Sequence, residues 1–169
     1  MLYLKPLNYE DRELEYQFFQ ETPGENGFEN HCRWLSYPYF VETALPRLLS
    51  NAQGVDLAVG RVPETLFFLW EDGRIVGLFK VRHHLNQALR TGSGHIGYAI
   101  HPAFRGLGYG TRGLALAVEE SRRLLPPEET ELYLSCSKAN PASLRVMLKN
   151  GAYLHHYDRQ NYYLRIPLH

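Results

Sequence analysis

The rhythm of apolar positions divides the chain into a helical first third and a strand-rich remainder. The first residues form a short strand that Pro6 ends. Asn8 is placed to cap a helix running to about Gln20, with Leu14, Phe18 and neighbouring aromatics as its apolar face. Thr22-Pro23-Gly24-Glu25-Asn26-Gly27 is a loop by composition. A second helical stretch is predicted over Tyr39 to Ser50, interrupted or kinked by Pro46.

Beyond this point the period shortens. Leu66-Phe67-Phe68-Leu69-Trp70 reads as a buried strand, Glu71-Asp72-Gly73-Arg74 as a hairpin turn, and Ile75 to Arg82 as the return strand. Thr91-Gly92-Ser93-Gly94 is expected to be a flexible connection leading into a strand over His95 to Ile100. A helix is predicted from about Gly110 to Leu124, stopped by Pro126-Pro127. Leu132 to Cys136 is a strand, and Pro141 to Asn150 a helix closed by Gly151. Ala152 to Tyr157 and Tyr162 to Ile166 complete the chain as a strand pair. Early helices, an antiparallel set and one strand–helix–strand crossover define a mixed α+β protein, expected to be a single domain over 1–169.

Composition narrows the function classes. An apolar share of 44% supports a folded core. Lys plus Arg number 18 and Asp plus Glu number 18, so no global field draws the chain to nucleic acid or an acidic membrane. Met1-Leu2-Tyr3-Leu4-Lys5-Pro6 does not read as a signal peptide, and no stretch of about 18 apolar residues suggests a membrane span. Cys32 and Cys136 lie far apart and in no CxxC arrangement, so a reducing cytoplasm is the expected setting. The paired histidines His83-His84 and His155-His156 would point apart on strands, and no HxxxH or HExxH occurs, so no metal site is expected.

The informative segment is Ile100-His101-Pro102-Ala103-Phe104-Arg105-Gly106-Leu107-Gly108-Tyr109-Gly110-Thr111. A strand ends, a short loop follows, and glycines at alternate positions open a helix. Glycine lets a ligand approach the backbone closely, and free N–H groups at a helix start attract an anion of phosphate or pyrophosphate size. Gly108-Tyr109-Gly110-Thr111-Arg112-Gly113 also matches GxGxxG, the dinucleotide fingerprint. That reading fails on context. A loop containing Pro102 intervenes after the strand, and the acidic residue near the next strand, Glu131, stands at its beginning.

Arg105-Gly106-Leu107-Gly108-Tyr109-Gly110 resembles the R/Q-x-x-G-x-G/A signature of the GNAT N-acetyltransferase superfamily. Downstream, Asn140-Pro141-Ala142-Ser143 followed by Lys149-Asn150-Gly151-Ala152 resembles that family's second signature, and the likeness covers roughly Leu66 to Ile166. It implies a mostly antiparallel, twisted central sheet flanked by helices, with a splayed strand pair holding acetyl-CoA as co-substrate. Pantetheine would lie along Tyr98, Ala99 and Ile100, and pyrophosphate on the N–H groups from Arg105 to Thr111, Gly106, Leu107, Gly108, Tyr109 and Gly110 included. Asn140 would bond the coenzyme arm, and Ser143 would lie near the thioester sulfur.

Many family members carry a tyrosine general acid where this chain has Met147, which has no proton to donate. Ser143 is then the candidate acid, as in the branch resembling ribosomal-protein N-terminal acetyltransferases; its alternative role is to cap its own helix. His83, His84 and His95 are candidate bases by their ordinary pKa, with His84 the one put forward. The expected reaction is direct attack of a primary amine, on a small molecule or a peptide, upon the thioester. The competing reading is a catalytically silent module that binds acyl-CoA. Transfer of a longer acyl chain is a third option, and a homodimer is plausible on base rate alone.

Overall fold

A computed structural model describes residues 1–169. Strand β1 (Leu2–Pro6) is followed by α1 (Arg12–Glu21), α2 (Tyr37–Tyr39), a π-helical stretch over Phe40–Ala44, and α3 (Leu45–Ala52). Strands β2 (Glu64–Glu71) and β3 (Arg74–Arg82), the short helix α4 (Gln87–Arg90) and strand β4 (Ile96–Ile100) come next. Helix α5 (Tyr109–Leu124), β5 (Glu131–Ser137), α6 (Pro141–Lys149), β6 (Tyr153–Tyr157) and β7 (Asn161–Pro167) complete it. No helix is long and apolar enough to cross a membrane.

The strands form two antiparallel sheets, ordered β1-β2-β3-β4 and β5-β7-β6. The apolar runs of β2 and β3 are near-continuous because the first sheet is buried on both faces. Phe67, Leu69, Val76 and Phe79 pack toward Leu114 and Ala117 of α5. Leu66, Phe68, Trp70 and Leu78 pack toward Phe18, Phe19, Phe40 and Leu45 of the amino-terminal helices. Of the aromatic residues before Phe40, Phe18, Phe19 and Phe28 are core, whereas Tyr3, Tyr9, Trp34 and Tyr39 are exposed.

Three expectations for the first hundred residues change. Helix α1 begins after Asn8, whose side chain accepts the N–H of Asp11 at 2.9 Å and holds the turn leading into the helix. Its buried face is Glu15, Phe18 and Phe19, and Leu14 is 43% exposed. Pro46 does not break the second helical stretch. The N–H of Leu45 reaches back to the carbonyl of Phe40, a widened turn placed just before the residue that has no N–H to give. Thr91 to Gly94 is a tight turn following α4, and Gly94 bridges to Leu134 of β5, so this connection is anchored at its end.

Glu15 is fully buried, one carboxylate oxygen accepting the N–H of Asn8 at 3.0 Å and the other unpartnered. Burial raises its pKa from 4.5 to about 8. The unfolded chain ionises near 4.5 and the folded one near 8, so stability falls as pH rises across that window. Glu15→Gln, which keeps an acceptor for Asn8, is expected to gain roughly 3 kcal/mol at pH 8 and little at pH 4. Denaturant melts at the two pH values test this; equal gains at both would show that the buried charge is not the cause.

Candidate active site

The two sheets meet only where β4 begins. The N–H of His95 donates to the carbonyl of Tyr133 at 2.8 Å, and the N–H of Tyr133 donates to Nδ1 of His95 at 2.9 Å. From that joint β4 runs toward Ile100 and β5 toward Ser137 without a shared ladder. A cleft of about 1550 Å³ opens between them, bounded by Ile96–Ile100 on one side and by Ser135, Cys136 and Ser137 on the other.

The register decides which backbone groups face this gap. Arg82 donates to His95 and His101 donates to Val76, so the alternation of an antiparallel ladder gives Gly97 and Ala99 to β3. The edges of Ile96, Tyr98 and Ile100 are left turned toward the cleft. Ala99 therefore lines the cleft, but its backbone belongs to the ladder with Leu78, unlike the role expected for it.

At the end of β4, Pro102–Phe104 makes one 3-10 turn, with the N–H of Ala103 donating to Nδ1 of His101 at 3.0 Å. Arg105 folds back, its Nε donating to the carbonyl of Ile100 at 3.1 Å and its guanidinium pairing with Glu25 at 2.8 Å. Gly106 and Gly108 take φ of 78° and 85°, a region costly to residues with a Cβ. The space where a Cβ would stand at either glycine is open. The N–H groups from Arg105 to Thr111 find no acceptor within the protein, and no side chain caps α5. Consecutive free N–H groups at a helix start fit an anion, with Arg145 and Lys149 also lining the cleft.

Across the gap, Asn140 caps α6 through Oδ1, which accepts the N–H of Ser143 at 3.2 Å. That leaves the Ser143 hydroxyl without a capping duty. It hydrogen-bonds the phenol of Tyr98 at 2.6 Å, tying β4 to α6 across the cleft. The Tyr98 ring stacks on Phe79 at 5.2 Å, and burial pushes the phenol up to about 12, keeping it protonated. Met147, the residue at the usual tyrosine position, is buried in the core and does not line the cleft.

Most of the residues singled out from the sequence come together here. Tyr98, Ala99, Ile100, Arg105, Gly106, Gly108, Tyr109, Gly110, Thr111, Asn140 and Ser143 all line the one cleft. Leu107 does not; its side chain is 62% exposed, and only its N–H belongs to the loop's free series. The histidines lie elsewhere. His84 is exposed and outside the cleft, and His83 is engaged with Thr65 at 2.8 Å. His95 is wholly buried as the joint between the sheets, and burial drives its pKa down to about 4. None of the three is positioned as a base toward the cleft.

The same cleft continues to the face under the amino-terminal helices, where Phe28, Cys32, Glu64, Lys80 and Arg82 line it. Burial holds the Cys32 thiol up at about 11, so it is a neutral wall group. Lys80 was not singled out from the sequence. Its signal was there, as the one charge inside the apolar run Ile75-Val76-Gly77-Leu78-Phe79-Lys80-Val81.

A strand edge open to an extended ligand runs into a loop of free N–H groups that fits an anion, and the cleft continues from there under the amino-terminal helices. Residues 25–152 match the model of the acetyltransferase (GNAT) family. The chain belongs to that family, whose members move an acetyl group from acetyl-CoA to an amine. Solved structures share the fold at low identity. A Campylobacter jejuni N-acetyltransferase in complex with acetyl coenzyme A is 17% identical, covering 99% of each chain with a TM-score of 0.61. An aminoglycoside acetyltransferase in complex with coenzyme A is 16% identical, covering 99% of this chain and 95% of that one, with a TM-score of 0.63. Mutant forms of a spermidine/spermine N-acetyltransferase from Vibrio cholerae are 17% identical, covering 99% and 95%, with a TM-score of 0.62. No curated protein sequence matches the chain.

Proposed function

We propose that this chain transfers an acetyl group from acetyl-CoA to a primary amine by direct attack, with the coenzyme along β4 and the amine entering from the Lys80 side. The observation that carries the reading is the run of unpaired N–H groups from Arg105 to Thr111 at the end of an unpaired strand edge. The pyrophosphate would take that nest. Pantetheine would extend back along β4 as an added strand, bonding Ile100 and Tyr98. A five-residue strand spans about 17 Å, so the thioester would reach the level of Tyr98 and Gly97. The side-chain amide N–H groups of Asn140 are free of protein partners and line the cleft for the coenzyme arm.

At that level the amine, deprotonated to water, attacks the thioester carbonyl. The free N–H of Tyr98 is the donor for the developing oxyanion. The adduct nitrogen gives its extra proton to water, and on collapse the C–S bond breaks and the thiolate takes the proton of Ser143. Tyr98, whose phenol lies 2.6 Å from the Ser143 oxygen, would restore that proton, and solvent would restore the phenol. General acids of this kind contribute about 10²- to 10⁴-fold. Ser143→Ala is expected to lower kcat about 100-fold with unchanged acetyl-CoA affinity, and Tyr98→Phe to lower it comparably. The double variant should be no worse than the poorer single one, because the two groups act as one relay. Additive losses, or a turnover equal to the parent's in either variant, would remove the relay.

The reading itself is tested by thermal melting with acetyl-CoA, CoA, NAD and ATP in parallel. A ligand selective for the folded state adds about 2.7 kcal/mol at a hundred times its dissociation constant. A rise with acetyl-CoA and CoA alone, followed by thiol release with an amine, is the expected result. A rise without thiol release from any amine would favour a silent acyl-CoA-binding module.

A further inference from the structure

Resting on that acetyl-transfer reading, we infer that the acceptor is an amino acid or a similarly small amine bearing a carboxylate, and that Lys80 holds that carboxylate beside the thioester. Lys80 of β3 stands directly opposite Gly97 of β4 in the ladder. Opposed residues on antiparallel strands project from the same face. On that face Gly97 presents bare backbone, with nothing within 4 Å of the position a Cβ would take. A small acceptor therefore meets the thioester beside one side chain, the lysine.

The ammonium of Lys80 lacks an anion. It donates to the carbonyl of Glu29 at 2.6 Å and lies 4.8 Å from the ring centre of Phe28, with no carboxylate within ion-pair distance. Burial weakens its hold on a proton, with Glu64 and Glu29 opposing that effect and Arg82 adding to it. A half-buried cation short of a counter-ion gains from a ligand that brings one.

The neighbouring charges leave the same balance. Glu64 is paired with Arg82 at 3.6 Å and Glu25 with Arg105 at 2.8 Å, while Glu29 hydrogen-bonds the His31 ring at 3.1 Å. Arg47 and Arg61 line the cleft without an ion pair, and Asp56 is the one lining carboxylate without one. The uncommitted charge of the acceptor chamber is thus positive. A polyamine would bring its second ammonium toward these cations, whereas a carboxylate on the acceptor relieves them.

Initial rates of thiol release at saturating acetyl-CoA test this, using the standard amino acids, their amides and methyl esters, the matching decarboxylated amines, and spermidine. The expected result is turnover of one or more free amino acids, with kcat/KM at least about tenfold lower for the amide and the decarboxylated amine. Lys80→Met should raise the amino-acid KM at least about tenfold and abolish the preference for acid over amide. Its thermal shift with acetyl-CoA should match the parent's, and Lys80→Arg should restore part of the preference. Equal or better turnover of amides or spermidine, or an acid-to-amide ratio untouched in Lys80→Met, overturns the carboxylate assignment and leaves acetyl transfer standing. No thiol release with any amine overturns both.

Discussion

Replacing Gly108 by glutamate is expected to abolish acetyl-CoA binding while leaving the chain folded. Gly108 sits at φ 85° immediately before α5, and a Cβ there would touch nothing within 4 Å. The folding cost is then mainly that of a left-handed residue with a side chain, about 1 to 2 kcal/mol. The cost to binding is far larger. The new carboxylate would stand over the free N–H groups of Tyr109, Gly110 and Thr111, the groups an anion would use. It would satisfy them itself and repel a pyrophosphate arriving at the same place. Calorimetry should show at least a hundredfold loss in affinity for acetyl-CoA and for CoA, with a melting point only a few degrees lower. Gly108→Ala carries the backbone cost without the charge and should retain binding within about tenfold. An unchanged affinity in Gly108→Glu would move the pyrophosphate away from this loop.

The contrast between local and long-range signals explains what could be read from the sequence. The glycine loop was legible because its meaning is local: a strand, a loop, glycines, then a helix, within twelve residues from Ile100 to Thr111. The hairpin at Asp72-Gly73 was legible for the same reason, since its residues take φ of 52° and 75° and suit a tight two-residue turn. Helix α1 was seen but its face was misjudged. The pattern favours Leu14, yet the turn at Asn8 offers an N–H that draws Glu15 inward alongside Phe18 and Phe19. The bond between Tyr98 and Ser143 joins residues 45 positions apart and depends on where the two sheets part. The histidines misled because a suitable ordinary pKa says nothing about position. His84 faces outward, and His95 spends its ring on the joint between sheets.

That joint gives the second large expected effect: Gly94→Ala should cost about 3 kcal/mol of stability and also weaken acetyl-CoA binding. Gly94 has φ 71°, and a Cβ there would lie 2.1 Å from the carbonyl oxygen of Tyr133. A flexible side chain could swing away from such a clash, but here the obstacle is backbone. That backbone is fixed from both directions, by the N–H of His95 on the Tyr133 carbonyl and by the N–H of Tyr133 on Nδ1 of His95. Relief requires the start of β4 to withdraw from β5, which removes the one bridge between the sheets. The loss corresponds to a melting point lower by about 6 to 12 °C for a chain of 169 residues. Binding should suffer because the angle between β4 and β5 is set where they touch, and the coenzyme would lie in the space that angle creates. Gly97→Ala is the control, since its Cβ enters open space on β4 and should leave the melting point nearly unchanged. A Gly94→Ala variant that melts with the parent would mean the sheets are held together by something other than this joint. Loss of stability with coenzyme affinity intact would mean the cleft does not take its width from there.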